Sequence, residues 1–177
     1  MLFREEGHLG GYVVGGDPMC WCPRVWDDLI SATKAESVVD VGCGEGHALR
    51  YFQEKGLRAI GVEGIPQDDS SIIHHDYTKG PLEVGPVDLA WSCEFVEHVE
   101  ERYISNFLKT FSNARVVAMT HGLPGQPGWH HVNCQLPSYW LDVMGSIGYK
   151  LNAQLTFGTR DLAPGTWWEK TGLVFER

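Results

Sequence analysis

Two hydrophobic periods alternate along the chain. Short, nearly continuous apolar runs are Ser37-Val38-Val39-Asp40-Val41, Ala59-Ile60-Gly61-Val62-Glu63, Val87-Asp88-Leu89-Ala90-Trp91-Ser92 and Arg115 to Thr120. A weaker one, Ile72-Ile73, leads towards Asp76. Runs of four to eight such residues between turn signals predict buried strands. Between them the apolar spacing widens to three and four, which predicts helices. One is short, over Trp26 to Ile30, and a second covers Ala48 to Glu54 with Gly56 placed to end it;. A third carries Val99, Tyr103, Phe107 and Phe111 on one stripe, and a fourth opens at Pro137 and closes near Gly148;. At the end, Leu151 to Phe157 and Gly172 to Glu176 look like two strands joined by a loop.

Strands separated by helices require a parallel sheet covered on both faces. The last two, with no helical crossover between them, should pair antiparallel. The expected fold is α/β: a seven-stranded, mostly parallel, Rossmann-like sheet with a C-terminal antiparallel hairpin. A length of 177 residues with 43% hydrophobic content suits one core;. We expect a single domain over 1–177, with a glycine-rich arm over 1–30 that closes on the ligand and a catalytic core over 31–177. The net charge of −9 argues against nucleic acid, whose phosphates call for a basic face;. Five cysteines, an odd number and two of them in core strands, suggest a reducing, cytoplasmic setting;. No apolar run reaches the roughly 20 residues of a membrane span.

Chemistry concentrates after the first strand. Asp40-Val41-Gly42-Cys43-Gly44-Glu45-Gly46 joins strand to helix, where glycines permit close approach and a helix start offers free N–H groups;. Both a dinucleotide and S-adenosylmethionine (SAM) would use such a loop. Dinucleotide loops favour G-x-G-x-x-G around a pyrophosphate. Here the spacing is G-x-G-x-G, and Asp40 stands two positions before the first glycine. A carboxylate repels a pyrophosphate but attracts the ammonium of a methionine moiety. Glu63, roughly twenty residues on at the end of the second strand, suits the two hydroxyls of a ribose. Asp76 suits an adenine amino group, with the N–H of Tyr77 donating to the ring.

Val39 to Gly46 closely resembles the first motif of the class I SAM-dependent methyltransferases, and Asp88 to Val99 resembles their fourth-strand segment. The similarity spans residues 36 to 120. The resemblance implies a methyltransferase that uses SAM, leaves S-adenosylhomocysteine (SAH), and contacts it through Asp40, Gly42, Cys43, Gly44, Glu63, Gly64, Ile65, Asp76, Tyr77, Ser92, Cys93 and Glu94.

Ligands of open α/β sheets lie beyond the carboxyl ends of the strands. The acceptor should therefore meet Glu94 and His98 after the fourth strand and the segment from His121 after the fifth. His98 is the first candidate base, because imidazole titrates near neutrality; His130 and His131 are the second. Trp129 offers a wall or stacking platform, whereas Tyr12, Trp21, Trp140, Trp167 and Trp168 are expected to pack. The histidines do not show a recognised metal spacing, so no metal is assigned. The expected partner is a small-molecule or sugar acceptor, methylated at oxygen. Protein or RNA methylation, a non-catalytic SAM-binding module and an NAD-linked oxidoreductase are the alternatives.

Overall fold

A computed structural model describes residues 7–177; the first six residues of the expected arm lie outside it. Strands β1 (Ser37–Val41), β2 (Arg58–Glu63), β3 (Ile72–His74), β4 (Val87–Ser92), β5 (Ala114–Met119), β6 (Lys150–Leu151) and β7 (Leu173–Glu176) form one sheet. Their order is β3-β2-β1-β4-β5-β7-β6. The first five are parallel, and β7 runs antiparallel to both β5 and β6. The chain reverses its direction of travel across the sheet at β1 and β4, whose carboxyl ends therefore flank a crevice.

Period-two alternation divides the core into two layers. Val39, Val41, Ala90, Val117 and Met119 face α3 (Ile104–Phe111) and α4 (Pro137–Ser146), meeting Phe107, Phe111, Trp140 and Met144. Val38, Leu89, Trp91, Val116 and Ala118 face the other way. There they meet Trp26 and Leu29 of α1 (Pro23–Thr33) and Leu49 and Phe52 of α2 (His47–Glu54). Trp168 of α6 (Trp167–Thr171) stacks on Trp91 with centroids 4.6 Å apart. Burying a large apolar side chain contributes about 1.5–3 kcal/mol, so these two layers hold the sheet rigid beneath the crevice.

Two expectations need correction. Leu151 to Phe157 is not a strand: β6 stops at Leu151, and α5 (Ala153–Asp161) follows, so two helices rather than a loop separate β6 from β7. Asn152 decides the matter by accepting from the Leu155 N–H at 2.9 Å, which caps a new helix;. Thr156 and Thr159, which look like strand residues, are buried on that helix, and the Thr159 hydroxyl donates to the Leu155 carbonyl. The antiparallel pairing itself is present, Leu151 facing Phe175. The stripe from Val99 to Phe111 is also not one helix. Val96–His98 and Glu101–Tyr103 are single 3-10 turns, Val99 is extended, and the α-helix begins only at Ile104. The N–H groups of Val132 and Asn133 both donate to the Glu97 carbonyl, which pins this segment to the loop after β5.

Candidate active site

The glycine loop is set by close packing. The N–H groups of Gly42 and Cys43 both donate to the Val62 carbonyl, at 2.9 and 3.2 Å, tying the turn to β2. Gly42 has φ +75°, and a Cβ there would lie 2.7 Å from the Phe95 ring. Only glycine meets both conditions. Gly44, at φ +55°, has open space where a side chain would project, because it faces the cavity.

Glu63 braces this loop. Its Oε2 accepts from the Gly44 N–H at 2.8 Å, and its Oε1 accepts from the Ile65 N–H at 3.0 Å. Burial raises its pKa, opposed by these N–H donors. Each oxygen keeps a second lone pair for a ligand hydroxyl. The same carboxylate can therefore shape the loop and receive a ribose.

Asp40 is 3% exposed, and no donor reaches its Oδ2 among the described residues. Burial, reinforced by the Glu63 carboxylate, pushes its pKa up to about 8;. Cys43 beside it is a neutral thiol, its pKa raised chiefly by burial. Near pH 7 Asp40 thus carries a proton that an arriving ammonium would displace. Affinity for SAH is expected to rise with pH up to about 8, by at most about tenfold per unit, with one proton released. Calorimetry in buffers of different ionisation heat measures this. A flat profile would exclude Asp40 as the ammonium partner, and Asp40→Asn should flatten it.

Asp76 caps a 3-10 turn: its Oδ1 accepts from the N–H and hydroxyl of Thr78. Its Oδ2 lies 2.9 Å from His8 Nε2. Burial alone would raise its pKa, but His8 and Thr78 bring it down to about 2. It is a firm anion, and an adenine amino group would share Oδ2 with His8 or displace it. Tyr77 lines the cavity while its hydroxyl pairs with Thr110 inside the core.

These groups border one cavity of about 470 Å³. Asp40, Gly42, Cys43, Gly44, Glu63, Gly64, Asp76, Tyr77, Cys93 and Glu94 all line it. Ser92 and Ile65 do not. Ser92 is fully buried and donates to the Val41 carbonyl, while Ile65 is buried with its N–H held by Glu63. His121 also stays out of the cavity, fully buried beside Trp140.

The same cavity is lined by His98, Trp129, His130 and His131. His98 and His131 touch edge to face with centroids 4.8 Å apart. Burial, helped by the His131 ring, lowers the His98 pKa to about 4, so its imidazole is neutral at working pH. His130 is also shifted down by burial. Trp129 is half exposed. Glu94 sits at φ +53°, an unusual conformation for a non-glycine residue, and exchanges hydrogen bonds with Thr120;.

The arm lines much of the cavity, from His8 through Asp17. A Cβ at Gly11 would lie 2.5 Å from His98 Nε2, so the arm backbone rests directly on that ring. The Gly15 N–H donates to Glu45, and the Trp167 indole donates to Asp17. Tyr12, Trp21 and Trp167, expected only to pack, line the cavity, whereas Trp140 and Trp168 are core residues. Glu97, which the sequence reading did not single out, lies fully buried just beneath the histidines. Its spacing of three from Glu94 was the available signal.

Residues 39–117 match the family model described as a methyltransferase domain. Over 99 residues the chain is 35% identical to sphingolipid C9-methyltransferase 2 of Gibberella zeae, covering 46% of this chain and 19% of that protein. Over 121 residues it is 29% identical to a probable chloroplastic tocopherol O-methyltransferase of rice, Oryza sativa, covering 58% and 31%. The chain thus spans between a fifth and a third of the length of these relatives. Among solved structures it resembles a 1,6-didemethyltoxoflavin N1-methyltransferase of Burkholderia thailandensis (TM-score 0.62, 13% identity, 93% of this chain and 81% of that one). A TehB-like SAM-dependent methyltransferase of Corynebacterium glutamicum gives 0.59 at 19% identity, covering 93% and 91%. The bacterial CtHen1 methyltransferase domain gives 0.56 at 14% identity, covering 88% and 98%. The sheet order agrees with the Rossmann-like expectation, and the segment that matches the methyltransferase-domain model, residues 39–117, contains the glycine loop and its bracing acid.

Proposed function

We propose that this chain transfers the S-methyl group of SAM to a hydroxyl oxygen of a small or carbohydrate-like acceptor. The cavity wall carries this reading. Among the described residues it holds Asp17, Asp40, Glu45, Glu63, Asp76, Glu94 and Glu100, and neither lysine nor arginine. Such a wall suits the cationic sulfonium of SAM, and it repels a polyphosphate backbone. The glycine loop, Asp40, Glu63 and Asp76 form the donor end. His98, His130, His131 and Trp129 form the acceptor end. Ser92 and Ile65 contribute by holding the wall rather than by touching the ligand.

In the reaction the acceptor oxygen attacks the methyl carbon in line with the departing sulfur. The O–CH3 bond forms, the C–S bond breaks with its electron pair left on sulfur, and SAH results. Alignment supplies much of the acceleration. A neutral imidazole at the acceptor end can take the hydroxyl proton. The arm excludes water above the reacting atoms. The relatives matched in sequence act, by name, on a sphingolipid and on tocopherol, which favours a small organic acceptor over a macromolecule.

The test offers methyl-labelled SAM together with pools of hydroxylated small molecules, RNA or protein. Label is expected in a small hydroxylated product, with one SAH formed per methyl. Label found only in RNA or protein would overturn the acceptor class. Tight SAM binding with no SAH from any pool would mark a non-catalytic binding module.

A further inference from the structure

Under the acceptor end lies a cluster that the donor chemistry does not use. Ligand-capable atoms of Glu97, His98 and His131 all lie within 4.8 Å of one another. Glu97 is fully buried, and among the described residues no donor reaches either of its oxygens. His98 Nδ1 is likewise buried without a partner. A buried carboxyl whose oxygens find no partner in the packed core calls for an explanation, and a bound ion is one of the few available. The loop after β5 packs closely on Glu97: a Cβ at Gly122 would lie 3.0 Å from Glu97 Cβ and 2.8 Å from Cys134 Sγ.

We propose that Glu97, His98 and His131 bind a divalent transition-metal cation at the acceptor end of the cavity. Two imidazoles and a carboxylate suit zinc, manganese, cobalt or ferrous iron better than magnesium or calcium, which prefer oxygen alone. Atoms held about 2.0–2.2 Å from such a cation sit roughly 3–4 Å apart, so small ring rotations would close the present set. Both histidines line the cavity, while Glu97 lies behind them. The remaining coordination positions therefore open towards the acceptor, as catalytic metal sites require. Glu94, three residues before Glu97 and braced by Thr120, is placed to join the set or to orient it;.

This inference rests on the hydroxyl-acceptor reading for its chemical role. A cation bound there would polarise the acceptor O–H and lower its pKa. The proton then leaves to solvent, the oxygen bonds to the methyl carbon, and the C–S electron pair stays on sulfur. His98 would in that case serve as a ligand, with its neutral imidazole supplying a lone pair to the metal.

Chelator-stripped protein, titrated with Mn2+ followed by electron paramagnetic resonance and with Co2+ followed by visible absorption, tests the site. One equivalent of each should bind, and Co2+ should develop the spectrum of nitrogen and oxygen ligation. Loss of a partner that merely orients a ligand costs about 10–100-fold in affinity, so Glu97→Gln and His131→Ala should each cost at least that. SAH binding should be unchanged and serves as the folding control; His131, on a loop, is the variant that tests the site should Glu97→Gln fail to fold. Absence of saturable binding, or binding that survives His131→Ala at full strength, would overturn the proposal. The two readings fail separately. Metal bound at these residues with no methyl transfer to hydroxyls would sink the acceptor reading and leave the site. Full transfer in the presence of chelator would sink the metal's catalytic role and leave the acceptor.

Discussion

Replacing His98 by alanine is expected to lower kcat roughly 10²–10⁴-fold, the range for losing a positioned base, while SAH affinity stays nearly unchanged. The geometry separates the two effects. His98 lies beside His131 and beneath the arm, at the proposed acceptor end, while the proposed donor contacts are Glu63 and the glycine loop it braces. Steady-state rates with one identified acceptor, beside calorimetry with SAH, measure both. A fall in SAH affinity as large as the fall in kcat would end any acceptor-side role for His98. The pattern across neighbours then tells base from ligand. A lone base leaves Glu97→Gln nearly silent, and added imidazole should partly restore His98→Ala. A metal ligand gives comparable losses in Glu97→Gln and His131→Ala, and added imidazole does little.

The second large effect falls on the donor. Glu63→Ala should weaken SAH binding by about 1.5–3 kcal/mol for the charge-assisted ribose bonds alone, or roughly 10–150-fold. The loss should lie at the upper end, because the same carboxylate holds the Gly44 and Ile65 N–H groups. Without it the glycine loop loses its brace as well as the ligand's partner. Glu63→Gln separates the contributions: the amide keeps one acceptor but presents N–H groups where the other oxygen met a donor, so loop strain persists while charge is lost. Calorimetry of both variants, with thermal melts for folding, gives the answer. Unchanged affinity in a folded Glu63→Ala variant would show that Glu63 is only a structural brace.

The sequence by itself determined most of the sheet and the glycine loop on which the proposed donor end rests. β1, β2, β4 and β5 lie within a residue of their apolar runs, because a fully buried strand must be apolar on both faces and has no freedom to disguise itself;. The glycine loop was equally legible, since glycine at Gly42 and Gly44 answers to a local backbone requirement written in one residue type;. Glu63 and Asp40 followed from their fixed distance to that loop. Where local signals competed, tertiary structure decided. Leu151 to Phe157 became mostly helix because an asparagine cap and a buried threonine face outweighed strand propensity;. The stripe beginning at Val99 was broken because the loop after β5 claims the Glu97 carbonyl with two N–H groups, a contact more than thirty residues away in the chain. For the proposed acceptor end the sequence named His98, Trp129, His130 and His131 as candidates, but not the contacts that bring them together. That Gly11 rests on His98, that Ser92 turns inward to Val41, and that Glu97 meets His131 are long-range juxtapositions. Periodicity reports which side of an element is apolar, but it carries no information about which distant polar groups the packed core will bring face to face.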